Sequence, residues 1–413
     1  MWLKNLYLKT KNYPALDLPF YFKSGSWVIG SKTVVQLVNL LIAIIFTRLA
    51  SKELFGNYKF ILAILSLLSI FSLPGFKEAL LKYVAEDYNN IYQPVRKMIL
   101  RWSLVGSLVI LLISYYYLIL ENNNLFAKIF LIAAVFFPLI FFDLWKSFFS
   151  AKLKFKKLFI FNLIQSVFLL ITIFLILLLS KNLLLLITTY LIIISLFNLI
   201  YNHQGEVKNQ GQASKAEVKK VKKYGRFLNF LQVINLSCEN LDKIILNVFL
   251  GPQNLATYAF AIIIPKTLKE YANSLLNIIV PKLVKMDEAK IKSKIKSNLL
   301  LIIATSIIAS AILIITIPYF IKILFTKQYA DAIPYAQLMS LILIFAPLTK
   351  LVAKYALAKE KKYIYSLLNN YSQFVAIILY FILIPIWGIQ GAIYSTLITT
   401  FSQFCFSLYF IRK

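Results

Sequence analysis

The amino-acid sequence predicts an all-α membrane protein that crosses the bilayer about twelve times. Of its 413 residues, 60% are apolar and only 15% are charged, whereas soluble domains average about 45–50% apolar and about 25% charged residues. The mean hydropathy is +0.76. Lys and Arg number 45 against 16 Asp and Glu, which gives a formal net charge of +29. Apolarity combined with a basic excess is typical of a polytopic membrane protein whose charges lie in its loops.

This composition excludes several other classes of protein. A nucleic-acid binder would explain the charge but not the apolarity, and the charges are dispersed over short loops rather than gathered in a patch. Two Cys and one His provide neither a metal cluster nor a disulfide framework, and we interpret Cys238 and Cys405 as apolar packing residues. Walker A, Rossmann and nucleophile-elbow motifs are absent. We therefore predict no metal, no cofactor and no nucleic-acid partner.

Twelve apolar stretches have the length of about 20 residues that a bilayer crossing requires. They cover 27–49, 58–76, 98–120, 125–149, 158–179, 183–201, 227–250, 256–280, 298–321, 333–358, 363–386 and 388–411. The most polar stretch of the chain lies between the sixth and the seventh. We therefore predict four parts in order: a cytoplasmic N-terminal segment 1–24, an N-lobe 25–201, a basic cytoplasmic linker 202–225 and a C-lobe 226–413.

Lysine and arginine are distributed unevenly between alternate loops. One side of the predicted membrane receives only Arg48, Lys52, Lys59, Lys128, Lys181, Lys322 and Lys327, and the other receives most of the rest. Basic loops are retained in the cytoplasm. The distribution therefore predicts an even number of spans and two cytoplasmic termini, with anionic lipid headgroups as partners of the basic loops.

The two halves of the chain contain a short similar segment. Residues 54–60 resemble 254–260, so that Gly56 corresponds to Ala256 and Tyr58 to Tyr258. Each segment lies at the second span of its own half, and both halves begin on the same side. This predicts two six-helix lobes related by a pseudo-two-fold axis along the membrane normal, with a central cavity between them.

Polar side chains inside the spans indicate what that cavity binds. An ionisable group at mid-membrane costs about 2.5–3.5 kcal/mol and normally faces a wet interior. Several such groups share one helical face within the first, seventh and eighth spans. Candidates for binding an anionic substrate are Lys32, Asn39, Asn235, Lys243, Lys266, Lys269 and Asn273. Candidates for binding a coupling ion, Na⁺ or H⁺, are Asp143, Glu239, Asp242 and Glu270.

Other interpretations of these residues stay open. Glu239 and Lys243 are four residues apart and can neutralise each other on one helix. Lysines near the cytoplasmic span ends can extend to the interface, and for Lys354 this is the favoured interpretation. Asn273 can join two helices by a hydrogen bond.

Short segments spread in order along the chain resemble one known family. They are Ser26-Trp27 with Gly30, Thr47-Arg48-Leu49, Phe55-Gly56-Asn57-Tyr58, residues 80–85, Asn240-Leu241-Asp242-Lys243 with Tyr258, Thr326-Lys327-Gln328-Tyr329, and Trp387-Gly388-Ile389-Gln390-Gly391. The sequence is similar to the O-antigen flippases, polysaccharide-biosynthesis members of the multidrug/oligosaccharidyl-lipid/polysaccharide exporter superfamily. It departs from the family pattern at Ala256, where glycine is usual, and at Lys243, where arginine is usual.

The resemblance implies a two-lobed bundle that works by alternating access and is not an enzyme. Its substrate would be an undecaprenyl-pyrophosphate-linked oligosaccharide, such as an O-antigen unit for lipopolysaccharide, turned to the outer leaflet of the bacterial cytoplasmic (inner) membrane. The resemblance also implies ion-gradient coupling and cooperation with polysaccharide polymerase machinery. Carried over by position, Arg48, Asp242 and Lys243 match the family's motifs, and Arg48 joins the substrate-binding candidates.

Two other functions remain as alternatives. An ion-coupled multidrug exporter of the same superfamily would favour cations, and the lysine excess argues against it. A membrane glycan polymerase or glycosyltransferase needs catalytic groups on sizeable outward loops. The outward loops here are short, and Asp331 is among their few carboxylates.

Overall fold

The computed structural model describes residues 18–86, 88–206, 213–359 and 361–412, and within them the regular secondary structure is entirely helical. The N-lobe comprises α1 Leu18–Leu49, α2 Lys52–Leu68, α3 Pro74–Ala85, α4 Tyr92–Ile119, α5 Asn124–Ile140, α6 Leu144–Ala151, α7 Phe155–Leu179 and α8 Leu183–Glu206. The C-lobe comprises α9 Lys215–Lys285, α10 Glu288–Ser297, α11 Leu299–Leu324, α12 Ala332–Ser340, α13 Ile342–Ala358, α14 Lys362–Ser366 and α15 Ser372–Arg412.

Two glycines divide the longest helices and bring the number of crossings to twelve. Ten helices of the described residues are long and apolar enough to span a membrane. Gly251 (φ 80°, ψ 173°) interrupts α9, and Gly388 (φ 58°, ψ −131°) interrupts α15. We call the resulting parts α9a (215–250), α9b (252–285), α15a (372–387) and α15b (389–412). Six crossing segments then belong to each lobe, which confirms the predicted multi-pass, two-lobed architecture.

The fourth span of each lobe is two helices rather than the single helix that the sequence predicts. In the N-lobe, α5 ends soon after Pro138 and α6 begins beyond Asp143. In the C-lobe, α12 passes into α13 at Leu341, ahead of Pro347. Proline removes a backbone donor and clashes with the preceding turn, so a break near Pro138 has a direct physical cause. The equivalent position of both breaks supports the internal repeat.

Asparagines of α8 stabilise the break between α5 and α6. The Asn198 amide donates to the carbonyls of Leu139 and Ile140, at 3.0 and 2.9 Å. The side-chain oxygen of Asn202 accepts from the Trp145 backbone N–H and from the Tyr92 hydroxyl, both at 2.9 Å. Helix ends leave backbone groups unpaired, and burial makes those groups costly. These bonds therefore fix the position of Asp143 between the two helices.

The predicted linker 202–225 is helical on both flanks. The α8 helix continues to Glu206, and α9 starts at Lys215, with 207–212 lying outside the described residues. Ser214 and Glu217 form a capping box: the Ser214 N–H donates to the Glu217 carboxylate at 2.7 Å, and the Glu217 N–H donates to the Ser214 hydroxyl at 3.2 Å. Of the predicted N-terminal segment, 18–24 belong to α1 and 1–17 lie outside the described residues. The domain boundaries stay predictions.

The loops predicted to face outward meet at one end of the bundle, which we call the lysine-poor end. Residues of 47–57, 181–183 and 326–328 line one pocket there, and Gly388 lies beside Leu250. The opposite, lysine-rich end holds the loops around α3, α6, α10 and α14. The lysine-poor end corresponds to the predicted outer side of the membrane.

Candidate functional site

The two lobes are in direct contact at the lysine-poor end. The Lys52 ammonium of α2 forms an ion pair with the Asp331 carboxylate of the C-lobe at 2.6 Å. The Thr257 hydroxyl donates to the same carboxylate at 3.2 Å. We call Lys52, Thr257 and Asp331 the interlobe clamp. Below it, the rings of Phe55 and Phe260 stack with centroids 4.5 Å apart, so the two lobes also contact each other through aromatic side chains.

A glycine permits the close approach of α2 and α9. A Cβ atom at Gly56 would lie 1.8 Å from the carbonyl oxygen of Pro252. Any other side chain would force the helices apart, because atoms cannot approach so closely without displacement. On the other lobe, Thr326 and Gln328 each donate to the Thr47 carbonyl at 3.2 Å. The structure is therefore closed at the lysine-poor end by sterically tight contacts as well as by charge.

A cavity of about 580 Å³ lies between the lobes on the lysine-rich side of this closure. Its walls come from α1, α6, α7, α9a, α9b and α13. The polar residues that line it are Ser31, Lys32, Gln36, Lys146, Asn162, Glu239, Thr267, Glu270, Tyr271, Asn273, Lys350 and Lys354. Four of these are lysines and two are glutamates, so the lining is positively charged.

Seven lysines form a continuous electrostatic series through the centre of the bundle, which we call the lysine series. Each is close enough to the next for their charges to repel. From the lysine-rich end inward, they are Lys32, Lys354, Lys350, Lys269, Lys266, Lys243 and Lys59. Asp242 and Glu239 lie close enough to members of the series to offset part of its charge, and the excess of like charge favours an anion among the lysines. This series is the main chemical feature of the interlobe space.

Lys59 belongs to this series, although the sequence pattern assigned it to an outward loop. It lies in the third turn of α2, about 10 Å from the start of that helix at a rise of about 1.5 Å per residue. Its ammonium is 5.2 Å from the ring centroid of Phe55 and 5.9 Å from that of Tyr58. The signal that could have identified it is the segment 54–60 itself, since Lys59 lies between two of the aromatic residues that both repeats share.

Asp242 and Lys243 form a compact buried group with a tyrosine. The Asp242 carboxylate accepts from the Tyr258 hydroxyl at 2.7 Å and from the Lys243 ammonium at 3.0 Å. Lys243 also donates to the backbone carbonyl of Glu239. Asp242 is only 6% exposed. Its negative charge is thus already balanced by a lysine of the same helix, and any further cation must compete with that ammonium.

Two other predicted acids bond to polar partners at the lysine-rich half. Asp143 forms ion pairs with Lys77 of α3 at 2.7 Å and with Lys146 of α6 at 3.1 Å. The Gln36 amide of α1 donates to Glu270 of α9b at 2.7 Å, which joins the two lobes beside the cavity.

The structure brings together most, but not all, of the predicted site. Lys32, Glu239, Glu270 and Asn273 line the cavity, and Lys243, Lys266 and Lys269 belong to the lysine series next to it. Lys354 also lines the cavity.

Three predicted residues lie elsewhere. Asn39 is exposed on α1 outside the cavity lining. Asn235 is half-buried outside that lining, with its side-chain oxygen buried and unpartnered. The side chain of Asp143 is 25% exposed at the break between α5 and α6.

Arg48 does not line this cavity in the structure, and its assignment to the substrate site stays a prediction. It lies in the last turn of α1, about 24 Å along the helix from Lys32. It lines a separate pocket at the lysine-poor end together with Lys181 and Lys327. The contacts around Thr47 and Phe55 separate that pocket from the cavity, and a motif on one helix cannot reveal on which side of such a closure its residue falls.

The fold and the cavity define a two-lobed, multi-pass membrane transporter architecture. By sequence, the chain belongs to the polysaccharide biosynthesis protein family, whose model matches residues 21–287. Among curated protein sequences, none matches the chain significantly.

Solved structures with the same fold include a flippase and multidrug resistance transporters. The structure titled Lipid II flippase MurJ, inward closed conformation, has a TM-score of 0.71 at 15% identity and covers 94% of this chain and 87% of its own. An outward-facing multidrug resistance MATE family transporter of the MOP superfamily has a TM-score of 0.64 at 12% identity, with 95% of each chain covered. A MOP superfamily transporter from Pyrococcus furiosus has a TM-score of 0.60 at 12% identity, with 94% and 96% covered. At these identities the likeness shows the fold alone.

Proposed function

We propose that this protein is a flippase for an undecaprenyl-pyrophosphate-linked oligosaccharide, which it turns from the cytoplasmic to the outer leaflet by alternating access. The observation that carries the proposal is the lysine series, which runs from the cavity wall to Lys59 in the third turn of α2. The family to which the chain belongs supports the link to polysaccharide synthesis.

The chemistry of lysine suits a substrate that must be bound and then released. An ammonium group is a mobile point charge, whereas arginine offers a planar fork that holds phosphate in two hydrogen bonds. A pyrophosphate can therefore pass from one lysine pair to the next without a single dominant site. The polyprenyl tail would remain in the bilayer while the glycan crosses between the lobes.

Alternating access assigns a role to the contacts at the lysine-poor end. In this conformation the cavity lies behind the interlobe clamp, on the side predicted to be cytoplasmic. Outward release then requires the Lys52–Asp331 pair and the Phe55–Phe260 stack to separate. An ion pair near a surface contributes only about 0–1 kcal/mol, so the packing around Phe55 and Gly56 contributes to the closure alongside the Lys52–Asp331 pair.

We further propose that the coupling ion, Na⁺ or H⁺, acts at Asp242. A cation bound to this carboxylate would displace the Lys243 ammonium and leave it available to the pyrophosphate. Asp143, Glu239 and Glu270 are the other candidates. The setting would be the bacterial inner membrane with both termini cytoplasmic, beside anionic lipids and the machinery that polymerises O-antigen or another polysaccharide.

The proposal is tested first in cells. Deletion of the gene should cause lipid-linked repeat units to accumulate facing the cytoplasm, and a variant with Lys266→Gln and Lys269→Gln should not relieve that accumulation. The matched control is Lys290→Gln with Lys294→Gln on the exposed face of α10, which should restore export fully. Normal outward delivery with shortened polymers in the deletion strain would contradict the proposal and favour a polymerase. Undisturbed glycan display with impaired efflux of cationic drugs would instead favour a multidrug exporter.

A further inference from the structure

A second basic site lies at the lysine-poor end, outside the transport cavity. A pocket of about 970 Å³ is lined there by Arg48 of α1, by Lys181 before α8 and by Lys327 in the loop before α12. Glu53 is the one acid in its lining. In the described part of the chain, none of the three cations has a carboxylate within 4.0 Å. The pocket therefore holds an excess of positive charge, with three cations against the one carboxylate of Glu53.

The clustering is informative because this side of the molecule has few basic residues. Of the seven that the sequence assigns to it, three line the pocket, Lys52 belongs to the interlobe clamp and Lys59 to the lysine series. Only Lys128 and Lys322 remain outside these three groups. Basic residues on the outer side oppose the charge asymmetry that orients membrane proteins, so their concentration at one pocket indicates a purpose other than topology.

Two helix N-termini border the pocket, and Glu53 in the first turn of α2 offsets part of the positive potential of one of them. The α2 helix begins there, with the Ser51 hydroxyl accepting from the Leu54 N–H at 3.1 Å. The α8 helix also begins there, with the Asn182 side chain accepting from the Leu184 N–H at 2.9 Å. Helix N-termini carry a partial positive charge and favour anions. Phosphate is the anion that this combination of cations and backbone dipoles fits best.

The walls of the pocket come from both lobes. Arg48, Lys181 and the start of α2 belong to the N-lobe, whereas Thr326, Lys327 and Gln328 belong to the C-lobe. The same Thr326 and Gln328 side chains bond to the Thr47 carbonyl across the lobe boundary. Separation of the lobes at this end would pull Lys327 away from Arg48 and Lys181, so the pocket exists as one site only while this end is closed.

We propose that the pocket binds a phosphate or pyrophosphate group on the outward-facing side of the membrane that the protein spans. The bound group thereby holds the lobes closed at that end. A ligand that binds one of two states shifts the equilibrium toward that state by its differential affinity. Occupancy would favour return of the empty transporter to the inward-facing state, and excess outer anion would slow outward opening. The inference rests on the alternating access of the proposed function but not on the identity of the transported glycan.

The experiment measures the distance between the lobes at the lysine-poor end. Spin labels are placed at Leu120→Cys on the N-lobe and Gln253→Cys on the C-lobe, both exposed positions, in a full chain with Cys238→Ala and Cys405→Ala. The protein is held in phosphatidylcholine nanodiscs and titrated with inorganic pyrophosphate. We expect the short-distance population to grow with pyrophosphate, and the half-saturating concentration to rise about tenfold in Lys181→Gln with Lys327→Gln, equivalent to about 1.4 kcal/mol.

The matched control is Lys128→Gln with Lys322→Gln, which removes one charge from the same end of each lobe but not from the pocket. It should respond like the parent chain. The cavity variant with Lys266→Gln and Lys269→Gln should also keep the response while losing transport, so that failure of the proposed function is separable from failure of this inference. An equal response in both double variants, or no response in the parent chain, would overturn the inference.

A second arm identifies the source of the phosphate. Nanodiscs that contain phosphatidylglycerol, without pyrophosphate, should give the same closure if a lipid headgroup occupies the pocket. Closure with pyrophosphate only assigns the site to a free or emerging pyrophosphate group. Unaltered distances under both conditions would contradict the existence of the site. Parent-like distance distributions of the variants without ligand serve as the check on their folding.

Discussion

A lysine among apolar helices is tolerated only where its ammonium has partners or an anion to bind. Lys59 contacts the faces of Phe55 and Tyr58 and is repelled by Lys243 and Lys266. Ring contacts with a cation contribute about 0.5–2 kcal/mol, and for the half-buried Lys59 they offset part of the cost of removing its charge from water. The balance is best explained if a negative substrate group completes the environment of Lys59 during transport.

Lys59→Gln should therefore slow transport of the lipid-linked glycan about tenfold or more, with little loss of thermal stability. The reason is that the positive charge of Lys59 stabilises the substrate-bound state and destabilises the empty state, and the amide of glutamine lacks that charge. Initial transport rates and thermal unfolding in detergent provide the two measurements. Lys322→Gln, an exposed lysine of α11, is the control, and equal rates in both variants would refute a role for Lys59 in transport.

A second prediction concerns the pair formed by Asp242 and Lys243. Asp242→Asn leaves the Lys243 ammonium without its carboxylate and should lower the free energy of unfolding by about 3–5 kcal/mol, the usual cost of breaking a buried pair. Lys243→Gln should cost a similar amount and also impair transport. In a double-mutant cycle the two losses should overlap by at least about 1 kcal/mol. Additive losses would show that the 3.0 Å ion pair contributes nothing to stability.

The sequence could predict cavity-lining residues where several polar residues share one face of a helix. The stripes on α1, α9a and α9b identified Lys32, Glu239, Glu270 and Asn273, which line the cavity. Arg48 lies at the end that its loop position predicts, whereas Lys59 was misplaced because loop membership does not reveal how far a residue lies inside the bundle. The bond from Lys243 to the Asp242 carboxylate joins neighbours in sequence, a pairing that the helical i, i+4 rule does not anticipate.

At the element scale, the interruptions of the helices determine where functional side chains lie. Both kink glycines have positive φ, and at Gly251 the combination with ψ 173° lies in a region that is essentially restricted to glycine. The sequence predicted separate spans on either side of Gly251 and Gly388, and the structure bears this out. Pro138 and Pro347 indicate that the fourth span of each lobe can bend, but the sequence did not predict that each is divided into two helices, near Asp143 and Leu341.

The close contact between α2 and α9 gives a prediction about how these two helices hold the lobes together. Gly56→Ala places a methyl group against the Pro252 carbonyl and should destabilise the closed lysine-poor end by about 1–3 kcal/mol. The interlobe distance between labels at 120 and 253 should then lengthen. Gly30→Ala is the control, because its Cβ would meet only the Phe159 ring at an ordinary 3.4 Å. Unchanged distances in Gly56→Ala would show that this contact does not hold the lobes together.

The α10 helix outside the membrane gives a prediction of pH dependence. Hydrogen bonds from Lys361 and Tyr355 hold the pKa of the Glu288 carboxyl at about 2, below its ordinary value. A depressed pKa contributes stability that is present above the unfolded pKa of about 4.3 and is lost as pH falls toward about 2. Glu288→Gln should therefore lower the thermal midpoint at pH 6, and the difference from the parent chain should shrink between pH 4 and pH 3. Asp287→Asn, at an exposed surface pair, should show no such trend.

At the scale of the whole molecule, the closed end and the basic cavity lie along one path between the lobes. The interlobe clamp, the Gly56 contact and the outer pocket all join the lobes at the lysine-poor end. The lysine series begins in the cavity on the opposite side of that closure and approaches the Phe55–Phe260 stack from below. An anion drawn along the series would meet the closure last, which is the order of events that alternating access requires.

The two-lobed architecture was largely predictable because hydropathy, charge asymmetry and the internal repeat all indicate it independently. The arrangement of one lobe on the other was not, since it depends on contacts such as Gly56 with Pro252 that bring together residues far apart in sequence. The positive character of the cavity followed from the few acids in the spans. The extension of the lysine series beyond the cavity to Lys59 required the structure.

The most direct test of this account is reconstitution of the purified protein in liposomes with a defined undecaprenyl-pyrophosphate oligosaccharide, with and without an imposed Na⁺ or H⁺ gradient. The account predicts that the glycan reaches the far leaflet, that a gradient accelerates the transfer, and that Lys266→Gln with Lys269→Gln slows it about tenfold or more while Lys290→Gln with Lys294→Gln does not. Equal transfer by both double variants, or none by the parent chain under any gradient, would contradict it.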